Sequence, residues 1–415
     1  MVIIPLVLVG SYAPAYDAER NDFEISYWYS ATWFMAMVFE LQLVLVRSQV
    51  DLAYRIVFGA NLLLSLDTIK SLLVVVPSNQ LIVQPIYKPE CTQVKAEKAT
   101  PSRRIEWRHV ASGVLMLWGL LITGLHASSF RLTYPAMCSS YVRPWLQVKP
   151  ACILLTVDCA SEGIAGLDQE IEDRFNQIDR SIVSYLVLQR CPHLMMPALL
   201  QTLHRVIEID IVDSTLATWP SEAALTSRLH PRLLSLAIVK TNMTELPAGL
   251  LHADFPSTLG DIEICDTNLT SLPAQLAEIW NDKYYIYVER SLLTEFPEAM
   301  TRVRVSQLSL SENNISSIPV DFLCDRDILE LHLSGNPIAS LPDDDALGSC
   351  SSPPRIGHLG IVDTRIAALP SWVRTSVKTV QAYGSPLCTG GGSTTAGIDC
   401  NVASPLKFPL DKTPS

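Results

Sequence analysis

Charge is scarce in this sequence: 18% of its 415 residues are Asp, Glu, Lys or Arg and 48% are apolar, where an ordinary soluble domain carries about a quarter charged. Scarcity of that degree predicts that part of the chain lies in lipid. The balance turns acidic after residue 138, where 20 Lys/Arg face 32 Asp/Glu, whereas residues 1–138 hold 11 against 10. An acidic stretch with no dense Lys/Arg stripe lacks the phosphate contacts that nucleic-acid binding needs, and that class is excluded. Catalytic signatures are missing too: there is no kinase set, no GxSxG elbow and no HExxH helix. The run Gly390, Gly391, Gly392 has neither the Lys nor the helix of a phosphate loop, and reads as a flexible loop held by a disulfide. Zinc needs three or four converging ligands, and the nearest group, Glu330, His332 and His358, is too sparse. Asp343, Asp344 and Asp345 read as a solvated loop, not a calcium site. No cofactor, no metal and no enzymatic activity are expected.

Long apolar runs are confined to the first third. Val110 to Phe130 contains no Asp, Glu, Lys or Arg, and at 1.5 Å per residue its ~20 residues match a hydrocarbon core of about 30 Å. Ile25 to Val46 is a second candidate span, with Tyr27, Trp28, Tyr29 and Trp33 as interfacial anchors at one end and Glu40 inside. In a third, Ile56 to Val76, Asn61, Asp67 and Lys70 interrupt the run, which either spans or lies along the surface. Lys88, Lys95, Lys98, Arg103, Arg104 and Arg108 make residues 78–108 a basic loop, placed in the cytoplasm by the positive-inside rule, with everything after residue 131 outside. The apolar start MVIIPLVLVG is either a weak signal sequence or the remnant of a helix.

The remainder repeats. Aligning each apolar–proline pair gives IDIVDSTLATWP, LAIVKTNMTELP, IEICDTNLTSLP, IYVERSLLTEFP, LSLSENNISSIP, LHLSGNPIASLP and LGIVDTRIAALP, with prolines at 220, 247, 273, 297, 319, 342 and 370. Apolar residues recur at offsets 0, 2, 7 and 10 and a small polar residue at offset 5: in one copy Ile262, Ile264, Leu269 and Leu272 with Thr267. Offsets 0 and 2 alternate as in a strand, so both point inward, while the polar side chain at offset 5 serves backbone groups left open by the turn. No copy buries its own apolar face, so neighbours must stack.

The pattern resembles the leucine-rich repeat family, LxxLxLxxNxLxxLP, over roughly residues 182–388. Asn313 and Asn336 keep the signature Asn; Ser214, Thr241, Thr267, Ser291 and Thr364 replace it. With a degenerate first copy around Leu186 and Leu188 and a partial last one around Val380 and Ala382, the resemblance implies an α/β solenoid, a curved parallel sheet of about nine strands with helical or irregular convex segments, preceded by membrane helices. The chain then divides into an N-terminal segment (1–24), a membrane region of one or two helices (25–77), the basic loop (78–108), a transmembrane helix (109–130), an N-terminal cap (138–181), the repeats (182–387) and a C-terminal disulfide cap and tail (388–415). In the cap, Leu167, Ile171, Phe175 and Ile178 recur at helical spacing, CILLTVDC, Cys152 to Cys159, reads as a short disulfide-tied strand, and Cys138, Cys152, Cys159 and Cys191 group there by position. Cys388 and Cys400 form the other cap. Cys324 and Cys350 fall on neighbouring convex segments and either pair or stay buried thiols, and Cys265 has no evident mate. Disulfide caps indicate an oxidising compartment. Asn242, Asn268 and Asn314, all at offset 6, begin Asn-x-Ser/Thr acceptor sites for glycans along one flank.

Outward positions, offsets −1, 1, 3 and 4, define a concave face where this fold usually binds. Glu208, Asp210, Asp261 and Glu263 flank Tyr285 and Tyr287, with Glu289 and Arg290 beside them. Aromatic anchors bordered by carboxylates suit a basic protein or peptide ligand; the bland alternative is a solvated polar face. The expectation is a membrane-anchored recognition protein, receptor-like or adhesive, in the plasma membrane with its repeats outside and in need of a signalling partner. The layout resembles that of oomycete membrane proteins with several helices before a repeat domain. The alternative, a channel- or transporter-associated protein resembling volume-regulated anion channels, requires cytoplasmic repeats and four spans.

Overall fold

A computed structural model describes residues 3–17, 22–44, 103–144, 147–280, 282–389 and 397–409, with a few positions between 49 and 63. The chain forms two units, Met1–Glu24 with Ala36–Ser128, and Ile25–Met35 with Ser129–Ser415. Most of the expected basic loop, most of the third candidate span and the Gly390–Gly392 run lie outside the described residues.

In the first unit, helix Ile3–Tyr12 precedes a two-residue antiparallel pairing of Tyr16–Asp17 with Asp22–Phe23. The Tyr12 hydroxyl donates to Glu40 Oε2 at 2.8 Å. Helix Arg103–Ser129 carries the longest apolar run, and from Val114 to Trp118 every side chain is exposed. At 100° per residue those five positions circle the helix, so it has no packed face there. Among the described residues no helix is long and apolar enough to cross a membrane. The stretch read as a second span, Ile25 to Val46, is not one helix. It divides into Ile25–Trp28 and Ala31–Val44, and its first part, to Met35, belongs with the repeats.

The second unit is built on a twelve-stranded sheet whose spatial order follows the chain. Cap strands β1 (Cys138–Val142) and β2 (Ala151–Asp158) pair antiparallel; all later pairings are parallel. The nine repeat strands follow: β3 (Tyr185–Gln189), β4 (Glu208–Val212), β5 (Ser235–Val239), β6 (Asp261–Cys265), β7 (Lys283–Glu289), β8 (Val305–Ser309), β9 (Asp327–His332), β10 (Arg355–Gly360) and β11 (Val377–Gln381). A two-residue β12 (Ile398–Asp399) adds to β11. The register is that of the repeat: Glu208 faces Ser235, then Asp261, then Tyr285, and beyond β8 Glu330 faces His358.

Offsets 0 and 2 make one continuous core from Leu186 and Leu188 through Ile262 and Ile264 to Leu359 and Ile361. Each convex segment turns just after its proline, as at Ser221–Ala223, Glu298–Thr301 and Ser371–Ser376, where Pro220, Pro297 and Pro370 stand at the N-cap. Proline suits that place because its φ is already set and it has no N–H to leave open. The offset 5 column is buried and bonded. Asn336 donates to the carbonyls of Leu310 (2.8 Å) and Leu333 (3.0 Å) and accepts from Ile315 N (2.9 Å), spanning two repeats; Thr267 and Ser291 bond each other at 2.8 Å. One regularity is only partly visible in residue type. Offset 4 is left-handed in every repeat: Arg190, Asp213, Lys240, Asp266, Arg290, Glu312 and Asp363 have φ between 47° and 56°, and glycine occupies the same place at Gly335 and Gly384. The chain leaves the sheet there, a conformation that costs a non-glycine residue about 1–2 kcal/mol.

The cap strand is tied at both ends, but not end to end. Cys152 pairs with Cys138 and Cys159 with Cys191, Cα to Cα 5.3 and 4.9 Å. An extended strand of this length separates its ends by roughly 23 Å, far beyond disulfide reach. Cys324 pairs with Cys350 and Cys388 with Cys400. The cap helix is Asp168–Asn176; Ile171 and Phe175 are buried, whereas Leu167 stands at its N-cap and is exposed.

Two substitutions test this ledger by chemical unfolding. Leu310, wholly buried at offset 2, should cost about 2–5 kcal/mol on Leu310→Ala through lost burial plus a cavity. Asn336→Ala should cost about 1–3 kcal/mol by orphaning buried backbone groups of two repeats, and a loss no larger than that of an exposed-site alanine would show the column to be dispensable.

Candidate functional site

The strand positions between the core residues form the concave face, and registry brings the predicted residues together there. Glu208 and Asp210 lie on β4, Asp261 and Glu263 on β6, and Tyr285, Tyr287 and Glu289 on β7. Arg290 does not join them. It stands at offset 4, where the left-handed turn carries it off the face, and its Nε pairs with Glu312 Oε2 at 2.7 Å.

The face is not open. Asp210, Glu263, Tyr287 and Glu289 are buried, and the cover is the chain's own. From the 25–35 segment, the Tyr29 hydroxyl donates to Glu263 Oε1 at 2.5 Å, and the Phe34 ring meets Tyr185 edge-on at 6.4 Å between centroids. From the other side of the repeats, Lys407 N and Phe408 N each donate to a different oxygen of Glu289, both at 2.8 Å. Lys407 Nζ reaches Glu330 Oε2 at 2.8 Å, and Phe408 lies against Ala237, Val239, Cys265 and Tyr287. Both covers meet where the Tyr29 and Phe408 rings pack edge to face, 4.9 Å apart.

Burial sets the electrostatics. Glu208, Asp210, Asp261 and Glu263 form no ion pair among the described residues; their donors are hydroxyls, with Tyr185 giving bonds to Glu208 (3.0 Å) and Asp210 (2.6 Å). Asp210 Oδ1 and Asp261 Oδ1 are buried with no hydrogen-bond partner among the described residues. Burial, reinforced for Asp261 by the charge of Asp210, pushes both Asp carboxyls up to about 7. Glu208 and Glu263 rise well above the usual carboxylate range, for burial first and neighbouring acids second. Burial lifts Glu289 to about 7 despite its three donors. Glu330 goes the other way, held at about 2 chiefly by its bond to His332 (Nε2 to Oε2, 3.0 Å) and then by Lys407. Among the described residues no cluster of His, Cys, Asp and Glu could hold a metal ion.

Sequence reasoning missed Tyr29, Phe34, Lys407 and Phe408. The aromatics at Tyr27–Tyr29 mimic a membrane-surface anchor, and Lys407–Phe408 stands in a stretch without periodicity. A signal did exist on the other side of the contact. Ala237, Val239 and Cys265 place apolar side chains at outward offsets of adjacent strands, which a solvated face would not favour, and Cys265 is indeed a buried free thiol.

No protein-family model matches the chain, and no curated protein matches it. Among solved structures, a leucine-rich repeat protein of Leptospira interrogans is similar at 20% identity, over 56% of this chain and 60% of its own, with a TM-score of 0.41. InlP of Listeria monocytogenes is 12% identical over 56% and 62%, TM-score 0.36, and the leucine-rich effector YopM of Yersinia pestis 19% over 49% and 55%, TM-score 0.33. The chain spans less than two-thirds of the length of these structures, and likenesses this distant say nothing of what it binds.

A carboxyl whose folded value is raised binds its proton more tightly in the native state, so its contribution is complete below ~4 and drains as pH climbs through about 7. Glu330 contributes in the opposite sense, but its loss falls near pH 2. The unfolding free energy should therefore decline between pH 5 and 8. Asp261→Asn, which removes one of the like charges, should raise stability at pH 8 by on the order of 1–2 kcal/mol and flatten the decline; denaturation curves at pH 5, 6.5 and 8 check both, and a stability that rises over that range contradicts the assignment.

Proposed function

We propose that the chain is a membrane-anchored recognition protein, receptor-like or adhesive, whose repeat unit binds a protein or peptide ligand on its concave face. One observation carries this reading: the face already holds two stretches of polypeptide, through hydrogen bonds to its carboxylates and contacts with its rings. Edge-strand pairing plays no part, because the face is the flat of the sheet, so selectivity resides in side chains. Buried carboxylate oxygens with no donor among the described residues, on Asp210 and Asp261, favour a ligand that brings basic groups to them.

The membrane and the orientation rest on other features. The exposed apolar girdle of helix Arg103–Ser129 is what lipid would cover, and the charge-free run Val110 to Phe130 has the length of a span. Four cysteine pairs on the repeat unit suit an oxidising, extracellular location in a plasma-membrane protein. The basic residues before the helix favour the same orientation. With no catalytic signature in the sequence, the consequence of binding passes through a separate signalling partner. Of the three acceptor asparagines, Asn242 and Asn314 are exposed, whereas Asn268 accepts from Met243 N and donates to Asn242 Oδ1, both at 2.6 Å.

Sealed microsomes containing the full chain test the orientation. The repeats should resist added protease until detergent is present, and glycosidase should increase gel mobility by an amount that Asn242→Gln and Asn314→Gln reduce stepwise, with Asn268→Gln contributing least. Digestion of the repeats in intact vesicles would place them in the cytoplasm and favour a channel-associated scaffold.

A further inference from the structure

The contact made by residues 407 and 408 has the parts of a peptide-recognition site. Glu289 is wholly buried and takes one backbone N–H on each carboxylate oxygen, a clamp that fixes the path of two successive residues whatever their side chains. Ser309 Oγ, itself buried, donates to the same carboxylate and holds it in place. Two side-chain subsites flank the clamp. On one side Glu330 pairs with the lysine ammonium and is braced by His332; on the other, Ala237, Val239, Cys265 and Tyr287 enclose a phenyl ring left 2% exposed. These residues come from five adjacent strands, β5 to β9. They lie far along the chain from the segment they hold, at separations of 118 and 119 for Glu289.

Internal packing alone does not call for this arrangement. Without the tail, the Glu289 carboxylate would keep one of its three donors, and an apolar patch would open on an otherwise polar face. Each part matches a chemical feature of one short motif, a cation followed directly by an aromatic. We propose that this end of the concave face is a recognition site for a lysine followed by an aromatic residue, filled in cis by Lys407–Phe408, and that a partner polypeptide presenting the same pair competes with the tail for it. The proposal rests on the recognition reading above and narrows it to one motif and one subsite. The tether is short, seven residues from Cys400 to Lys407, so the tail acts at an effective concentration on the order of millimolar. A free peptide of ~10–100 μM intrinsic affinity would then bind the intact chain roughly 10- to 100-fold more weakly than a chain whose tail is disabled.

The probe is a fluorescein-labelled peptide with the sequence of residues 403–411, ASPLKFPLD, titrated by anisotropy into the full chain and into the full-length double variant Lys407→Ser/Phe408→Ser. The double variant should bind at least 10-fold more tightly. Replacing either the lysine or the phenylalanine of the peptide by serine should abolish that binding, as should adding Glu289→Ala to the variant. In parallel, saturating peptide should speed amide exchange of residues 401–409 in the unaltered chain while β5 to β9 stay protected, a readout that needs no substitution. Two results overturn the proposal: a double variant with native circular dichroism that shows no binding up to millimolar peptide, or one that binds a scrambled peptide equally well. If basic peptides lacking the aromatic bind the face in a manner abolished by Asp261→Asn, recognition there stands and the lysine–aromatic subsite falls. If no peptide of any sequence depends on concave residues, both readings fall together.

Discussion

Parallel strands stacked in register set the terms for everything else in the repeat unit. Residues at the same offset in successive copies stand side by side at about 4.8 Å, so each offset becomes a column whose chemistry is multiplied by the number of repeats. A column of leucines becomes a core. A column of Asn, Ser and Thr becomes a ladder of side chains that serve backbone groups of their own or the neighbouring repeat, as Asn336 does for Leu310 and Ile315. A column of carboxylates becomes a liability, since like charges are forced together unless protonated, bonded to hydroxyls or met by a cation. The concave face shows all three remedies: raised Asp and Glu values on β4 and β6, Tyr29 and Tyr185 as donors, and Lys407 at Glu330.

Whatever is periodic could therefore be read from the sequence, and what is not could not. The nine repeat strands, their inward residues, the hydroxyl substitutes in the ladder and the alignment of Asp261 with Tyr285 follow from offset arithmetic. The left-handed turn at offset 4 is signalled by Asp213, Asp266, Asp363, Gly335 and Gly384, types that tolerate it, but obscured by Arg190, Lys240, Arg290 and Glu312, which do not announce it. That is why offset arithmetic alone assigns Arg290 to the face. The covering segments were hidden for a different reason: they contact the face across 234 residues in one case and 119 in the other, through isolated side-chain and backbone groups with no repeating partner. Composition even pointed elsewhere, since the aromatics that pack into the face are the same types that anchor helices at a membrane surface. Cys265 was the legible clue, an unpaired cysteine at an outward position beside Ala237 and Val239, where a covered patch was the simplest explanation.

The cover also changes what the acidic residues mean. Exposed on an open face they would steer a ligand from a distance, with strength set by ionic strength. Enclosed by Tyr29 and Phe408 they act at short range, and the penalty for burying them is already met in the folded chain by their protons and hydroxyl partners. A ligand that replaces the cover inherits a preorganised set of acceptors and meets little further desolvation cost.

The position of Phe408 in the chain has a consequence in time. The strand that carries Glu289 is made well before the residues that clasp it. At about 5–20 residues per second, the 119 positions between them take roughly 6–24 seconds to synthesise. For that interval the earlier-made Tyr29 segment is in hand but the tail is not, and the hollow around Glu289 can hold whatever cationic or aromatic segment is nearby. Assembly with a companion polypeptide would be easiest during translation, before the chain delivers its own clasp.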